Sequence, residues 1–343
     1  MKKKKFFKNL RKPFLIAEIS ANHNGSLEKA KKIIKTAKQN GADAVKLQTY
    51  EPHSMTIDSK RNEFKIKKGL WKNYTLWELF ERAQTPFSWH KELFSFARKN
   101  KIMCFSSAFD QSSIDVLEKL KCPFYKIASF EITDFSLIKK ISKTGKPLLV
   151  STGLSTLREI DDTMKFAKKC GIKDIALLYC VSSYPAKDED FNLKNILILK
   201  KKYKCEIGFS DHSNNIEIAK IALSLGATIF EKHVALDGQK KGFDLKFSLK
   251  GKEIKNFKKQ LEITSKLIGE EKFLRKKNEM ENLRFRRSIY SIKNIKKGDI
   301  FSEENIKCIR PSNGLDPKFF FKILNKKAKI SIKKGTPLKR EYY

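Results

Sequence analysis

Ile175-Ala-Leu-Leu-Tyr-Cys-Val-Ser182 is the stretch on which the fold turns. Its apolar residues follow one another without alternating with polar ones, so neither face of a strand made from it meets water. That texture belongs to strands of a parallel sheet covered on both sides. It recurs at Phe14–Ser20, Ala44–Thr49, Ile102–Ser107, Phe124–Ser129, Pro147–Thr152, Glu206–Ser210 and Thr228–Val234. Helical periodicity fills most of the gaps, at Leu27–Asn40, Ser113–Leu120, Leu157–Cys170 and Ile216–Leu225. Gly41, Gly171 and Gly226 stand just past three of these, where a helix commonly stops on a left-handed residue. Eight strand–helix units between residues 14 and 270 predict an α/β fold, a (β/α)8 TIM barrel of about 250 residues. A doubly wound open sheet is the competitor. It calls for a glycine-rich phosphate loop after the first strand, and Ser20-Ala-Asn-His-Asn-Gly25 is not one.

Barrel enzymes carry their chemistry at the C-terminal ends of the strands. Those ends read Glu18 and Asn22-His23-Asn24; Lys46 and Gln48; Ser106-Ser107; Lys126, Ser129 and Glu131; Ser151-Thr152; Ser182-Ser183-Tyr184; Ser210-Asp211-His212; and Glu231-Lys232-His233. All eight are polar or ionisable, which stability alone does not require. His212 and His233 close the seventh and eighth strands. Neighbouring strands lie about 4.8 Å apart, so the two imidazoles can reach one divalent metal, with oxygen ligands completing it. Two imidazoles with oxygens do not separate Mn, Zn and Mg. Lys46, Lys126 and Lys232 all end apolar strands, where an ammonium is costly without an anion. Two readings follow: ion pairs with Glu18, Glu131 or Glu231, or a phosphate or carboxylate pocket completed by Ser107, Ser129 and Ser210. A Schiff-base lysine is a third.

Composition narrows the function classes. The 343 residues suggest about two domains, and 40% hydrophobic residues with 26 Phe supply a core. The formal net charge is +36, from 74 basic against 38 acidic residues. Only 11 of the basic residues are Arg, the side chain favoured for base readout and phosphate clamps. The lysines are spread along the chain, with no helix-turn-helix, zinc-finger or RNP pattern. A specific nucleic-acid partner is therefore not expected, and a basic polyanion-binding protein is kept as the non-enzyme alternative. No apolar run reaches the 18 or so residues of a membrane span. The basic start to Lys12 resembles a signal-peptide n-region, but Phe14-Leu-Ile-Ala-Glu18 is too short for an h-region. A cytoplasmic protein is expected. The six cysteines form no CxxC pair and read as reduced structural thiols.

The expected organisation is a barrel over residues 1–271, a charged linker over 272–283 and a small, mainly β domain over 284–343. The last starts at Arg286-Arg-Ser-Ile-Tyr-Ser-Ile292, with turns at Lys297-Gly-Asp299 and Lys334-Gly-Thr336.

Ile16-Ala-Glu-Ile-Ser-Ala-Asn-His-Asn-Gly25, Lys46-Leu-Gln-Thr49, Lys126-Ile-Ala-Ser129, Ser151-Thr-Gly153, Ser210-Asp-His212 and Glu231-Lys-His233 together resemble the sialic acid synthase family. The likeness runs on through Arg286-Arg-Ser288 and Ile309-Arg-Pro311 to Gly314. It implies a TIM barrel joined to a C-terminal antifreeze-like (SAF) domain in a domain-swapped homodimer. The implied reaction condenses phosphoenolpyruvate with an N-acetylated amino sugar, giving a nine-carbon 2-keto acid and phosphate. Ser129-Phe-Glu131, Leu76-Trp-Glu-Leu-Phe80 and Thr85-Pro-Phe-Ser-Trp-His90 are most similar to the branch that makes pseudaminic acid from 2,4-diacetamido-2,4,6-trideoxy-L-altrose. The branches making N-acetylneuraminate and legionaminate are the alternatives. Two positions depart from the family pattern: Phe243 stands where it has Pro, and Ala108 likewise. The resemblance puts a divalent metal, Mn²⁺ ahead of Mg²⁺, on His212 and His233. It puts phosphoenolpyruvate on Lys46, Ser107, Lys126, Ser129, Ser182 and Ser210. It puts the sugar on Gln48, Glu131, Tyr184 and Asp244, with Arg310 supplied by the partner copy. Glu18 is the candidate for managing protons near the reacting carbons.

Overall fold

The computed structural model describes residues 5–343; residues 1–4 of the signal-like basic start lie outside them. The chain divides into two compact units, Met1–Gly269 and Glu270–Tyr343. In the first, eight strands form one parallel sheet: β1 Phe14–Glu18, β2 Ala44–Thr49, β3 Met103–Ala108, β4 Tyr125–Ile127, β5 Leu148–Ser151, β6 Ile175–Cys180, β7 Glu206–Asp211 and β8 Ile229–Ala235. Each pairs with the next in sequence, and β1 also pairs with β8, which closes the barrel. A two-residue strand, β9 Leu249–Lys250, adds to the end of β8. The aliphatic runs thus become the barrel wall, and the expected strand bounds hold to within one or two residues.

The helices follow from their sequence signals. Thr156 accepts from the Glu159 N–H at 3.3 Å, and the Glu159 carboxylate accepts from the Thr156 N–H at 2.7 Å. This reciprocal capping starts the helix Leu157–Lys169. Ile160, Thr163, Met164 and Ala167 then form its buried stripe. Gly171, at φ +91°, ends it in a conformation that a residue with a Cβ disfavours.

The N-terminal end of the barrel is shut. Phe7 lies 5.3 Å from Phe124, ring centre to ring centre, and Phe124 lies 4.1 Å from Phe105. Beside them the buried Lys258, on the helix Glu253–Ile268, donates at 2.6 Å to both the Pro13 carbonyl and Asp43. Asp43 in turn accepts from the Leu15 N–H at 2.8 Å, so the last helix is tied to the start of β1.

In the second unit β10 Ser288–Ser291 and β11 Ile306–Ile309 pair antiparallel. Isolated bridges join Tyr290 to Pro337, Ile295 to Ile332 and Ile300 to Lys327. Ile289, Phe301, Ile306, Ile332 and Leu338 make its core. Residues of the expected linker include a short helix, Lys277–Met280, running into a 3-10 turn at Glu281–Phe285. Among the described residues no helix is long and apolar enough to cross a membrane.

Candidate active site

Sheet register assembles the polar strand ends into one layer. Glu18 lies opposite Lys46 on one side and His233 on the other. Gln48 is opposite Ser107, Ser107 opposite Lys126, and Ser210 opposite Glu231. Inside this ring the Lys46 ammonium lies 2.6 Å from Glu18, 3.1 Å from Glu231 and 3.2 Å from the Ser107 hydroxyl. The Lys126 ammonium donates to both Glu231 oxygens at 2.9 Å, and Ser210 donates to Glu231 at 3.3 Å. All four charged groups are at most 4% exposed. Burial opposes the Lys46 charge, yet Glu18 and Glu231 outweigh it and hold its pKa above the usual lysine value. At Lys126 burial dominates and, with the Lys46 charge nearby, lowers it. Burial also opposes the Glu231 charge, and the two ammoniums overcome it, keeping that carboxylate ionised.

Next to these charges lies a cradle of small groups. Ser129 Oγ is 3.1 Å from Cys180 Sγ, and the Ser182 hydroxyl is buried without a partner. Gly153 lets them converge. A Cβ there would sit 2.1 Å from Ser182 Oγ and 2.8 Å from Ser129 Oγ. Unpartnered hydroxyl beside paired ammonium is chemistry suited to an anion's oxygens. Glu131 lies at the end of the same strand-to-helix turn. Burial raises its carboxyl to about 7, and one of its oxygens is also without a partner.

His212 and His233 face each other with ring centres 5.6 Å apart. His212 Nδ1 is 2.9 Å from the Val181 carbonyl, which can only accept, so Nδ1 carries the proton and Nε2 presents its lone pair. Burial, helped by His233, lowers His212 to about 3 and keeps it neutral. His233 Nδ1 is buried with no hydrogen bond; Asp244 Oδ2 is 3.5 Å away. Burial works against the Asp244 charge, but contacts with His233 and Ser20 hold that carboxyl below its usual range. Among the described residues no three His, Cys, Asp or Glu side chains converge as a closed metal cage. Two facing imidazoles instead fit an open divalent site completed by other oxygens.

Aromatic rings continue outward from this pair. Tyr184 lies 4.5 Å from His212 and 5.4 Å from Phe247, and Trp71 packs 5.6 Å from Tyr184. Asn22 holds the segment opposite. Its amide donates to the Val234 carbonyl at 3.0 Å and to Ser248 Oγ at 2.9 Å, and Ser248 donates to the Asp244 carbonyl at 2.6 Å.

The residues named from sequence thus fall into two groups of direct contacts. Glu18, Lys46, Ser107, Lys126 and Ser210 meet through Glu231; His212, His233, Tyr184 and Asp244 meet around the imidazoles. Ser129 and Ser182 converge on Gly153. Gln48 is half-buried beside Ser107 in the register. Arg310, at 1 residue past β11, belongs to the second unit. Lys232 is a correction. Alternation along β8 turns it away from Glu231 and His233, and it pairs with Asp211 at 3.2 Å and the Ser213 carbonyl outside the ring. Glu231 was seen from sequence only as one counter-ion among three, yet it joins both inward lysines. Its two-residue spacing from His233 was the signal for it. Trp71 carried no such signal, because its partners Tyr184 and Phe243 are distant in sequence.

A parallel barrel with a polar C-terminal layer and a small second unit defines the class. The NeuB family model matches residues 33–273 and the SAF domain model residues 286–341. The pseudaminic acid synthase of Campylobacter jejuni is 44% identical over 334 residues, 97% of each chain, and that of Helicobacter pylori is 42% identical over 96% of this chain and 97% of that one. The crystal structure of N-acetylneuraminic acid synthetase from Leptospira borgpetersenii, in complex with citrate, superposes with a TM-score of 0.70 at 31% identity. It covers 79% of this chain and 90% of that one. The chain belongs to the NeuB family.

Proposed function

We propose that this chain is a pseudaminic acid synthase. It condenses phosphoenolpyruvate with 2,4-diacetamido-2,4,6-trideoxy-L-altrose and water, giving pseudaminic acid and phosphate. The observation that carries the reading is the buried layer in which two ammoniums, ringed by hydroxyls, lie beside two facing imidazoles. Near-full-length identity to pseudaminic acid synthases supports the choice of acceptor.

The reaction forms a bond from C3 of phosphoenolpyruvate to the aldehyde carbon of the open-chain sugar. Water adds at C2, and the C2–O bond to phosphate breaks. Lys46 and Lys126, with Ser107, Ser129, Ser182 and Ser210, bind the carboxylate and phosphate. Glu18 and Glu231 keep the ammoniums ordered before the substrate arrives. In a site stripped of water, these preset charges stabilise the departing phosphate more than bulk solvent would. Glu18, accepting from the Ser20 N–H at 2.6 Å with its other oxygen on Lys46, is placed to hold a proton near the reacting carbons. Glu131 and Gln48 orient the sugar with Tyr184 and Asp244; near neutral pH Glu131 is poised to donate as well as accept. His212 and His233 would hold a divalent cation, Mn²⁺ ahead of Mg²⁺, which when bound supplies Lewis acidity to the sugar carbonyl oxygen. Arg310 would act on a neighbouring copy in a domain-swapped homodimer, in the cytoplasm.

The test is phosphate release from phosphoenolpyruvate with Mn²⁺ and each candidate sugar. Release with the trideoxyaltrose derivative is expected. Release with N-acetylmannosamine alone would overturn the acceptor. His212→Ala should lose both metal binding and turnover; retained activity would remove the imidazole role.

A further inference from the structure

The polar layer accounts for the reacting end of both substrates. It leaves unexplained the rings that continue beyond it. Trp71 comes from the long segment between β2 and the helix Leu76–Ala83, and Phe243 from the segment after β8. The Trp71 indole N–H donates to the Phe243 carbonyl at 3.2 Å, tying the two segments together. Trp71 packs on Tyr184, which packs on His212, so this bridge lies one ring beyond the imidazoles. Phe243 directly precedes Asp244, whose carboxylate stands beside His233. Tyr74 extends the apolar surface, 6.0 Å from Phe243.

Two amides bordering these rings are already committed. The Asn24 amide donates to the Lys241 carbonyl at 2.8 Å. The Gln239 amide donates to the Asn22 and Lys241 carbonyls, both at 2.8 Å. The one polar atom of Trp71 is spent on Phe243. Trp71 and Phe243 therefore offer a substrate apolar surface without a free hydrogen-bonding group of their own. A hydroxyl pressed against that surface would lose its water and gain nothing, whereas a methyl would lose nothing.

We infer that Trp71 and Phe243 form a specificity wall at the far end of the acceptor, selecting a sugar whose C6 is a methyl group over one carrying a C6 hydroxyl. The inference rests on the proposed reaction and deepens it. The carbonyl carbon is set by the imidazoles, so the opposite end of the open chain meets the next structure outward, which is this bridge.

The experiment uses the full chain with Mn²⁺, saturating phosphoenolpyruvate and two acceptors differing only at C6. These are 2,4-diacetamido-2,4,6-trideoxy-L-altrose and its 6-hydroxylated counterpart. The wild type should prefer the methyl sugar by about 10- to 100-fold in kcat/KM, the range by which an apolar pocket rejects an added hydroxyl. Trp71→Gln and Phe243→Pro should each cut that ratio by about tenfold, with the KM for phosphoenolpyruvate unchanged. Trp71→Phe keeps a ring, and should keep most of the ratio even where the other variants fold poorly. Equal losses with both sugars, or an unchanged ratio in every variant, would overturn the wall while leaving the reaction intact. A wild type inactive with the methyl sugar would overturn the reaction itself, and the wall with it.

Discussion

The two ends of the barrel each bury a lysine, and they treat it differently. At the N-terminal end Lys258 meets one carboxylate and one carbonyl, and Asp43 meets that lysine and the Leu15 N–H. Phe7, Phe105 and Phe124 pack on one another at the same end. At the C-terminal end Lys46 and Lys126 share Glu231, and nearby oxygens on Ser182 and Glu131 have no partner. The closed arrangement has no capacity left for a ligand; the open one does. Barrels in general divide stability and chemistry between their ends in this way. Here the decisive difference lies in unspent hydrogen-bonding capacity.

The sharpest way to break this contrast is to disable each end in turn. Glu231→Gln removes the counter-ion of two ammoniums. It should lower kcat/KM by about a thousandfold, the scale of losing a preset electrostatic group. Lys258→Met should cost about 3–5 kcal/mol of stability by leaving Asp43 unpaired, while kcat/KM of the folded enzyme stays within about twofold. Denaturant unfolding and phosphate release measure the pair. If Lys258→Met cost turnover as heavily as Glu231→Gln, the ends would not be separate.

A smaller effect is expected at Gly153. Its φ is not in the left-handed region, so Gly153→Ala adds no backbone strain. The methyl would instead drive Ser182 and Ser129 apart. The KM for phosphoenolpyruvate should rise about 10- to 100-fold, as displacement of a positioning group by about an ångström does. Steady-state kinetics with phosphoenolpyruvate varied would show it. An unchanged KM would remove the cradle from phosphoenolpyruvate binding.

The smallest effect is a pH dependence. The Glu131 carboxyl is raised from 4.5 to about 7 by burial. Between those values the folded chain binds a proton that the unfolded chain has lost, so this group favours folding at low pH. Its contribution is fully present below about 4.5 and declines as pH rises through 7. Thermal melts between pH 5 and 8 should show that decline in the wild type and lose it in Glu131→Gln. A decline of the same size in the variant would assign it to another group.

Much of this was legible without the fold. The aliphatic runs specify strands because a strand covered on both faces has no position where a polar residue is free of cost. Ser182, Glu18 and His233 stand where those runs stop, so the polar layer could be located strand by strand. Lys232 shows the limit of reading strand ends as lists. Alternation already puts it on the face opposite Glu231 and His233, and grouping it with Lys46 and Lys126 overlooked that period of two. The aromatic bridge was less accessible still. Trp71 and Phe243 sit in irregular segments with no periodicity to give their direction, and their contact spans 172 residues.

The sequence by itself determined the strand count, their order, the polar character of every strand end and the presence of a second unit. These are local properties, set by patterns of two and 3.6 residues and by caps and turns. Tertiary structure alone decided which charges meet. Lys126 finds Glu231 across 105 residues because barrel closure and strand register bring them together. It also decided that one glutamate would serve two lysines, and that the Ser182 hydroxyl would remain unspent. No local pattern encodes such pairings, since each depends on how every intervening strand is staggered against the next.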